Sequence, residues 1–229
     1  MKVVYSYKGK SPDEFLLKMA RLSVISVKNF TLYPTELYVD SVNYAYFKDF
    51  PYDNVVITDF DGLNTTAWNM SKLYTYSQQD EPFLHIDFDT CILAGFFIPD
   101  AMFVCEKTRY ALMDSEYMKY AYNQFKPEHI VCSGFIGGTN YGDLFKEHYE
   151  WAKKQIKDVK EFSYRHLISL EEVAMTQRLK EFGITPTPLP ESLFLHFWCR
   201  RNCGKTKEDV YGDVVGELLN FNVMIRKGG

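Results

Sequence analysis

The chain has no run approaching the roughly 20 consecutive apolar residues that a bilayer-crossing helix requires. Its opening residues, MKVVYSYKGKSPDE, lack the apolar core of a signal peptide. Both absences point to a cytoplasmic protein. Excess basic charge is missing too: 26 Lys and Arg stand against 30 Asp and Glu, for a net charge of −4 and a pI of about 5.8. That balance argues against a nonspecific nucleic-acid binder, which would carry a basic face, so any grip on phosphate must be local. Cysteine is sparse and odd in number: Cys91, Cys105, Cys132, Cys199 and Cys203 sit mostly in apolar runs, as buried thiols in a reducing compartment do. Cys199 and Cys203 lack a second Cys or His pair at zinc-finger spacing. The sequons at Asn29, Asn64 and Asn69 carry no meaning without secretion. Neither GxGxxG nor Walker spacing occurs, and there are no internal repeats or low-complexity tracts.

What is present is a large apolar and aromatic complement. With 229 residues, 46% hydrophobic and 17% aromatic, the chain can build one large domain. Short β-branched and aromatic runs alternate with segments of helical period: strand at Val3–Tyr7, helix at Pro12–Lys28, strand at Glu36–Val39, a short helix around Tyr44–Phe47, strand at Asn54–Thr58, helix at Trp68–Ser77 and strand at Phe83–Ile86. This alternation predicts an α/β fold with a mostly parallel central sheet flanked by helices. Ligands of such sheets lie beyond the carboxyl ends of the strands. The groups expected there are Tyr5, Ser6 and Tyr7 after the first strand, where rings and hydroxyls could hold a nucleobase, Asp40 after the second, and Asp87-Phe88-Asp89 after the strand Phe83–Ile86.

The acidic triplet is the chemical focus. Asp87 and Asp89 flank Phe88 where the strand runs out, and the two carboxylates together are a candidate site for one divalent ion. Mg²⁺ or Mn²⁺ held by one or two carboxylates is the usual means of gripping a nucleotide diphosphate. Lys72, on the preceding helix, would add a second positive charge.

Farther along, Met102–Cys105 reads as a strand and Tyr110–Gln124 as an aromatic-rich helix or loop. His129–Asn140, HIVCSGFIGGTN, reads as an apolar strand broken by Ser133-Gly134 and Gly137-Gly138, and glycine within a strand marks close approach of a backbone or ligand. Leu144–Ile156 is helical in spacing. Leu170–Phe182 reads as an amphipathic helix, with Ser169 and Glu172 placed as a capping box. Pro186, Pro188 and Pro190 form an extended linker to Ser192–Trp198, and a final helix is expected from about Val210 to Phe221.

The segment Ser71–Leu93, SKLYTYSQQDEPFLHIDFDTCIL, resembles metal-dependent glycosyltransferases of the GT-A fold, in particular the glycogenin and bacterial galactosyltransferase group. There a Lys-Leu helix precedes a strand ending in Asp-any-Asp. The resemblance extends over roughly Val3–Trp198. It implies a single domain with a nucleotide-binding half (1–93), an acceptor and donor-sugar half (94–207) and a C-terminal helix and tail (208–229). It implies a UDP-sugar donor, an acceptor that is a carbohydrate, a lipid-linked molecule or a protein, and Mn²⁺ or Mg²⁺ bound by Asp87, Asp89 and His196. Ser133 and Gly134 would line the sugar side, and Glu171 or Glu172 would lie near the reacting sugar. The group follows its His with Gly and then Lys at fixed steps. This chain has Cys199 and Asn202 there, with Arg200, Arg201, Lys205 and Lys207 close by, and Lys205 is taken as the diphosphate-binding candidate.

Two other readings stand beside this one. VVITDFDGL, Val55–Leu63, looks like the first motif of haloacid-dehalogenase phosphatases, with Asp59 as nucleophile and Asp61 as acid. Leu63 replaces that motif's Thr or Val, and a β-α-β unit precedes it. The other is a nucleotide-sugar or carbohydrate-binding protein that keeps the fold without the catalysis.

Overall fold

A computed structural model describes residues 1–63, 68–99, 102–107, 130–139, 141–157 and 167–197, with residues 206, 209, 211, 212, 215 and 216 beyond them. The expected segment Tyr110–Gln124, the basic loop with Lys205, Arg200, Arg201 and Lys207, Cys199 and Cys203, and most of the final helix lie outside the described residues.

The expected α/β alternation is present. It runs β1 (Lys2–Tyr7), α1 (Glu14–Phe30), β2 (Thr35–Val39), α2 (Tyr44–Phe47), β3 (Asn54–Ile57), a 3₁₀ turn (Phe60–Gly62), α3 (Met70–Ser77) and β4 (Phe83–Ile86). Then come β5 (Thr90–Ile92), β6 (Phe103–Lys107), β7 (Val131–Gly138), α4 (Gly142–Ile156), a π-helical turn (Ser169–Val173), α5 (Ala174–Glu181), β8 (Thr187–Pro188) and β9 (Phe194–His196). Asp13 starts α1 by accepting the Leu16 N–H at 2.7 Å, which satisfies one of the amides left over at a helix start.

Seven strands form one sheet in the order β3-β2-β1-β4-β7-β6-β8. All run one way except β7, which is antiparallel to both β4 and β6. Strand alternation divides the core into two layers. Val4, Tyr38, Phe83, Phe103 and Ile136 face α3, α4 and α5, while Val3, Tyr5, Leu37, Val39, Leu84, Val104 and Phe135 face α1 and α2. No helix among the described residues is long and apolar enough to cross a membrane.

Three expectations are corrected. The glycines do not break β7. A Cβ on Gly137 would fall 2.2 Å from the Phe83 carbonyl oxygen, and one on Gly138 2.1 Å from that of Met102, so the glycines are what let two strands flank β7 this closely. Ser169 and Glu172 form no capping box, because Leu167 and Ile168 are already helical and the Glu172 carboxylate turns to β7 instead. The proline linker is in part an edge strand. Thr187 and Pro188 pair with Val104 and Cys105, at an edge, where a residue without an N–H is tolerated.

Candidate metal centre

The chain turns at the acidic triplet. β4 ends at Ile86, the Asp87 N–H donates to the Gly134 carbonyl at 3.0 Å, and the Thr90 N–H donates back to the Asp87 carbonyl at 3.0 Å. Phe88, between the acids, turns the other way and packs on Tyr7, Phe47 and Tyr5 with ring centroids 5.7, 5.3 and 5.9 Å apart. The chain then enters β5, which pairs with β9 so that Thr90 lies opposite His196. The Phe197 N–H donates to the Asp89 carbonyl at 2.8 Å. This small two-stranded sheet carries the imidazole to the aspartates. Ligand atoms of Asp87, Asp89 and His196 all lie within 4.8 Å of one another. Gly134 leaves room for the imidazole, since a Cβ there would come 2.4 Å from its Cε1.

A second layer surrounds this trio. The Lys72 ammonium, nearly buried on α3, lies 2.8 Å from Asp87 Oδ2 and 2.7 Å from Glu171 Oε1, donates to Ser133 Oγ at 3.2 Å, and stands 5.6 Å over the Trp68 ring. Glu172 Oε1 accepts the Ser133 N–H at 3.0 Å and the Ser133 hydroxyl at 3.2 Å. Both glutamates come from the π-helical turn, whose extra residue per turn re-aims side chains and is often found at functional sites. Glu171 is buried, and among the described residues its Oε2 has no hydrogen-bond partner.

The electrostatics follow from burial. Desolvation pushes the Asp87 carboxyl up to about 6 despite the nearby Lys72 charge, and desolvation followed by repulsion from Glu171 pushes Glu172 to about 7. Burial is the largest influence on Asp89 and acts to raise it, but His196 and Lys72 together leave the carboxyl below its usual range. Burial alone would discharge Lys72, yet Asp87 and Glu171 hold it charged. His85 lies at 5.0 Å from the Tyr76 ring. Burial, and then Lys72, keep its imidazole neutral. Among the described residues, acidic groups thus outnumber cations around this centre. Two carboxylates with one imidazole form a donor set suited to Mn²⁺ or Mg²⁺, and their surplus negative charge would be offset by such an ion.

The other candidates fall in three groups. Asp87, Asp89, His196, Lys72, Ser133, Gly134, Glu171 and Glu172 are brought together. At the ends of β1 and β2, Ser6 Oγ is 3.2 Å from His85 Nε2, Tyr7 donates its hydroxyl to the Lys10 carbonyl at 2.7 Å, and Asp40 accepts from the Asn43 backbone and side chain at 2.8 and 3.1 Å. Tyr5 is a correction: it is fully buried, with its hydroxyl 3.1 Å from Ser23 Oγ, so it packs the sheet and cannot hold a base. The phosphatase pair Asp59 and Asp61 follows the edge strand β3. Asp59 accepts the Asp61 N–H at 3.0 Å and so closes the turn, and Asp61 accepts from Tyr149 at 3.1 Å and Lys153 at 2.9 Å, which ties the turn to α4. Glu106 was not singled out by the sequence. Its signal was a lone acid in the strand FVCEK.

Residues 8–98 match a family described as a family of unknown function (DUF6734). No curated protein matches the sequence. Solved structures similar to this fold include the PaToxG glycosyltransferase, 12% identical, with a TM-score of 0.48 over 79% of this chain and 69% of that one. Another is the galactosyltransferase LgtC in complex with donor and acceptor sugar analogs, 17% identical, with a TM-score of 0.47 over 75% of this chain and 71% of that one.

Proposed function

We propose that this chain is a metal-dependent glycosyltransferase that takes a sugar from a nucleotide-sugar donor, a UDP-sugar by its sequence resemblance. The observation that carries the reading is the convergence of Asp87, Asp89 and His196, with Lys72 salt-bridged to the first of them, beyond the carboxyl end of a central parallel strand. Asp87, Asp89 and His196 would hold Mn²⁺ or Mg²⁺. When bound, that ion supplies Lewis-acid stabilisation of the leaving diphosphate.

The chain's own residues have separate tasks. Lys72 adds a fixed positive charge at the phosphate end of the site, already desolvated and aimed by Asp87, Glu171 and Ser133. Tyr7 and Asp40, at the ends of β1 and β2, would meet the nucleoside. Glu172, with its carboxyl near 7, can take or give a proton at neutral pH, while Glu171, its side chain fully buried, would act on the sugar side through Lys72. The first 93 residues are then the nucleotide half, and β6, β7 and the π-helical turn belong to the half that meets sugar and acceptor.

Calorimetric titration with UDP tests the reading. Wild type should bind UDP in the presence of Mn²⁺ and lose that binding on chelation. Asp89→Asn should abolish Mn²⁺-dependent binding while leaving the metal-free melting temperature nearly unchanged, and wild type should slowly hydrolyse a UDP-sugar. Equal UDP affinity in both proteins, with and without chelator, would overturn it.

A further inference from the structure

The two ring nitrogens of His196 have different neighbours. Nε2 lies 3.5 Å from Asp89 Oδ1, on the side of the aspartate pair. Nδ1 lies 2.7 Å from Glu106 Oε2, on β6. A carboxylate only accepts hydrogen bonds, so this short contact requires the proton on Nδ1, and a neutral imidazole protonated there carries its lone pair on Nε2. We infer that Glu106 is a positioning residue of the metal centre: it holds the Nδ1 proton of His196 and thereby presents Nε2 as the third ligand beside Asp87 and Asp89. This inference rests on the metal-dependent reading above.

Independent features agree with it. Glu106 is only 6% exposed, and a carboxylate is seldom buried so deeply without a partner. A bulge between Cys105 and Glu106 interrupts the pairing of β6 with β7, and bulges re-aim side chains next to functional sites. Across the sheet, β7 is bare where the pair lies: a Cβ on Gly134 would come 2.7 Å from His196 Nδ1 and 2.9 Å from Glu106 Oε2. A carboxylate behind a ligating histidine fixes its tautomer and ring orientation and raises its basicity.

A competing arrangement uses the same atoms. Glu106, Cys132 and His196 could themselves hold an ion, as their ligand atoms also lie within 4.8 Å of one another. Donors bound to one ion at about 2.0–2.3 Å sit roughly 3 Å or more apart. The 2.7 Å between Nδ1 and Oε2 is too short for that and fits a hydrogen bond, whereas the 3.5 Å between Nε2 and Asp89 Oδ1 suits two ligands of one ion. Cys132 Sγ, 4.0 Å from Nδ1, completes no tighter set.

The test is Mn²⁺ affinity, read from the paramagnetic resonance of the free ion, together with ¹⁵N spectra of histidine-labelled protein bound to diamagnetic Mg²⁺. Glu106→Ala should weaken Mn²⁺ binding by about 10- to 100-fold, and Glu106→Gln should weaken it less, because the amide oxygen still accepts the Nδ1 proton. Cys132→Ser should leave the affinity unchanged. Wild type should show His196 protonated at Nδ1, with a strongly downfield proton that is lost in the Ala variant. If Glu106→Ala does not fold, Glu106→Gln decides, since a shifted Nδ1 resonance with reduced affinity supports the inference and no change in either overturns it. Undiminished affinity in Glu106→Ala overturns it, as does an equal loss in Cys132→Ser, which would make the trio a metal site itself. Wild type that fails to bind Mn²⁺ overturns this inference and the functional reading together. Loss of binding in Asp89→Asn but not in Glu106→Ala overturns the positioning role alone.

Discussion

Replacing Lys72 with methionine removes one buried ammonium and keeps most of the side chain's volume. That ammonium sits 2.8 Å from Asp87 and 2.7 Å from Glu171, so the variant leaves one fully buried and one partly buried carboxylate without their shared cation. Stripping one partner from a buried ion pair typically costs about 3–5 kcal/mol, because the remaining charge stays desolvated. In a domain of this size each kcal/mol moves the melting temperature by about 2–4 °C, so a fall of roughly 6–20 °C is expected. The measurement is calorimetry in chelator at pH 8, above the Asp87 carboxyl at about 6. Lys153→Met is the control. Its ammonium pairs with Asp61 at 2.9 Å, but both side chains are well exposed, and such pairs contribute about 1 kcal/mol at most. The double variant Lys72→Met, Glu171→Gln should regain part of the loss, since it deletes one charge of each sign. If Lys72→Met melts like Lys153→Met, or the second substitution restores nothing, Lys72 is not the counter-charge of this site.

Two more outcomes follow from the geometry. Burial, then Glu171, raise the Glu172 carboxyl from 4.5 to about 7, so the folded state binds this proton more tightly than the unfolded one. The resulting stability, about 3 kcal/mol from a shift of this size, is fully present below pH 4.5 and is lost as pH rises through 7. Glu172→Gln should therefore flatten the dependence of denaturant midpoint on pH between those values, and an unchanged slope would show that the shift is not there. Gly134→Ala would drive a methyl to 2.4 Å from the His196 ring. It should cost about 1–3 kcal/mol by overpacking and weaken Mn²⁺ binding by roughly tenfold or more as the ligand is displaced, and undiminished Mn²⁺ affinity on titration would contradict the placement of His196.

Much of this was legible because it is local. The β-α alternation through Ile86 depends on patterns within each segment, and the acid pair of Asp87-Phe88-Asp89 is local too, since side chains two positions apart share a face. Lys72 was readable as a member of the site but not as a buried counter-ion, because its partner Glu171 comes from a distant turn. Three-residue β5 and β9 exist only through each other and carry no periodicity of their own. Ser169 and Glu172 have the spacing of a cap and were misread as one, as the helix had already begun upstream. The burial of Tyr5 is legible in its strand: it shares the parity of Val3, whose partner Thr35 lies on β2, and that parity places both on the α1 face of the sheet.

The pairing of β5 with β9 also sets an order of events in time. Asp87 and Asp89 leave the ribosome well before Glu106, Glu171 and His196, and at synthesis rates of about 5–20 residues per second the interval between Asp89 and His196 is roughly 5–20 s. During it β1, β2 and β4 can assemble, with the two aspartates still hydrated and their ionisation costing nothing. Only when β7, the π-helical turn and β9 arrive are they partly shielded from water. Charge burial, the least favourable step in building this centre, is therefore deferred until its compensating lysine contacts and its histidine are in hand.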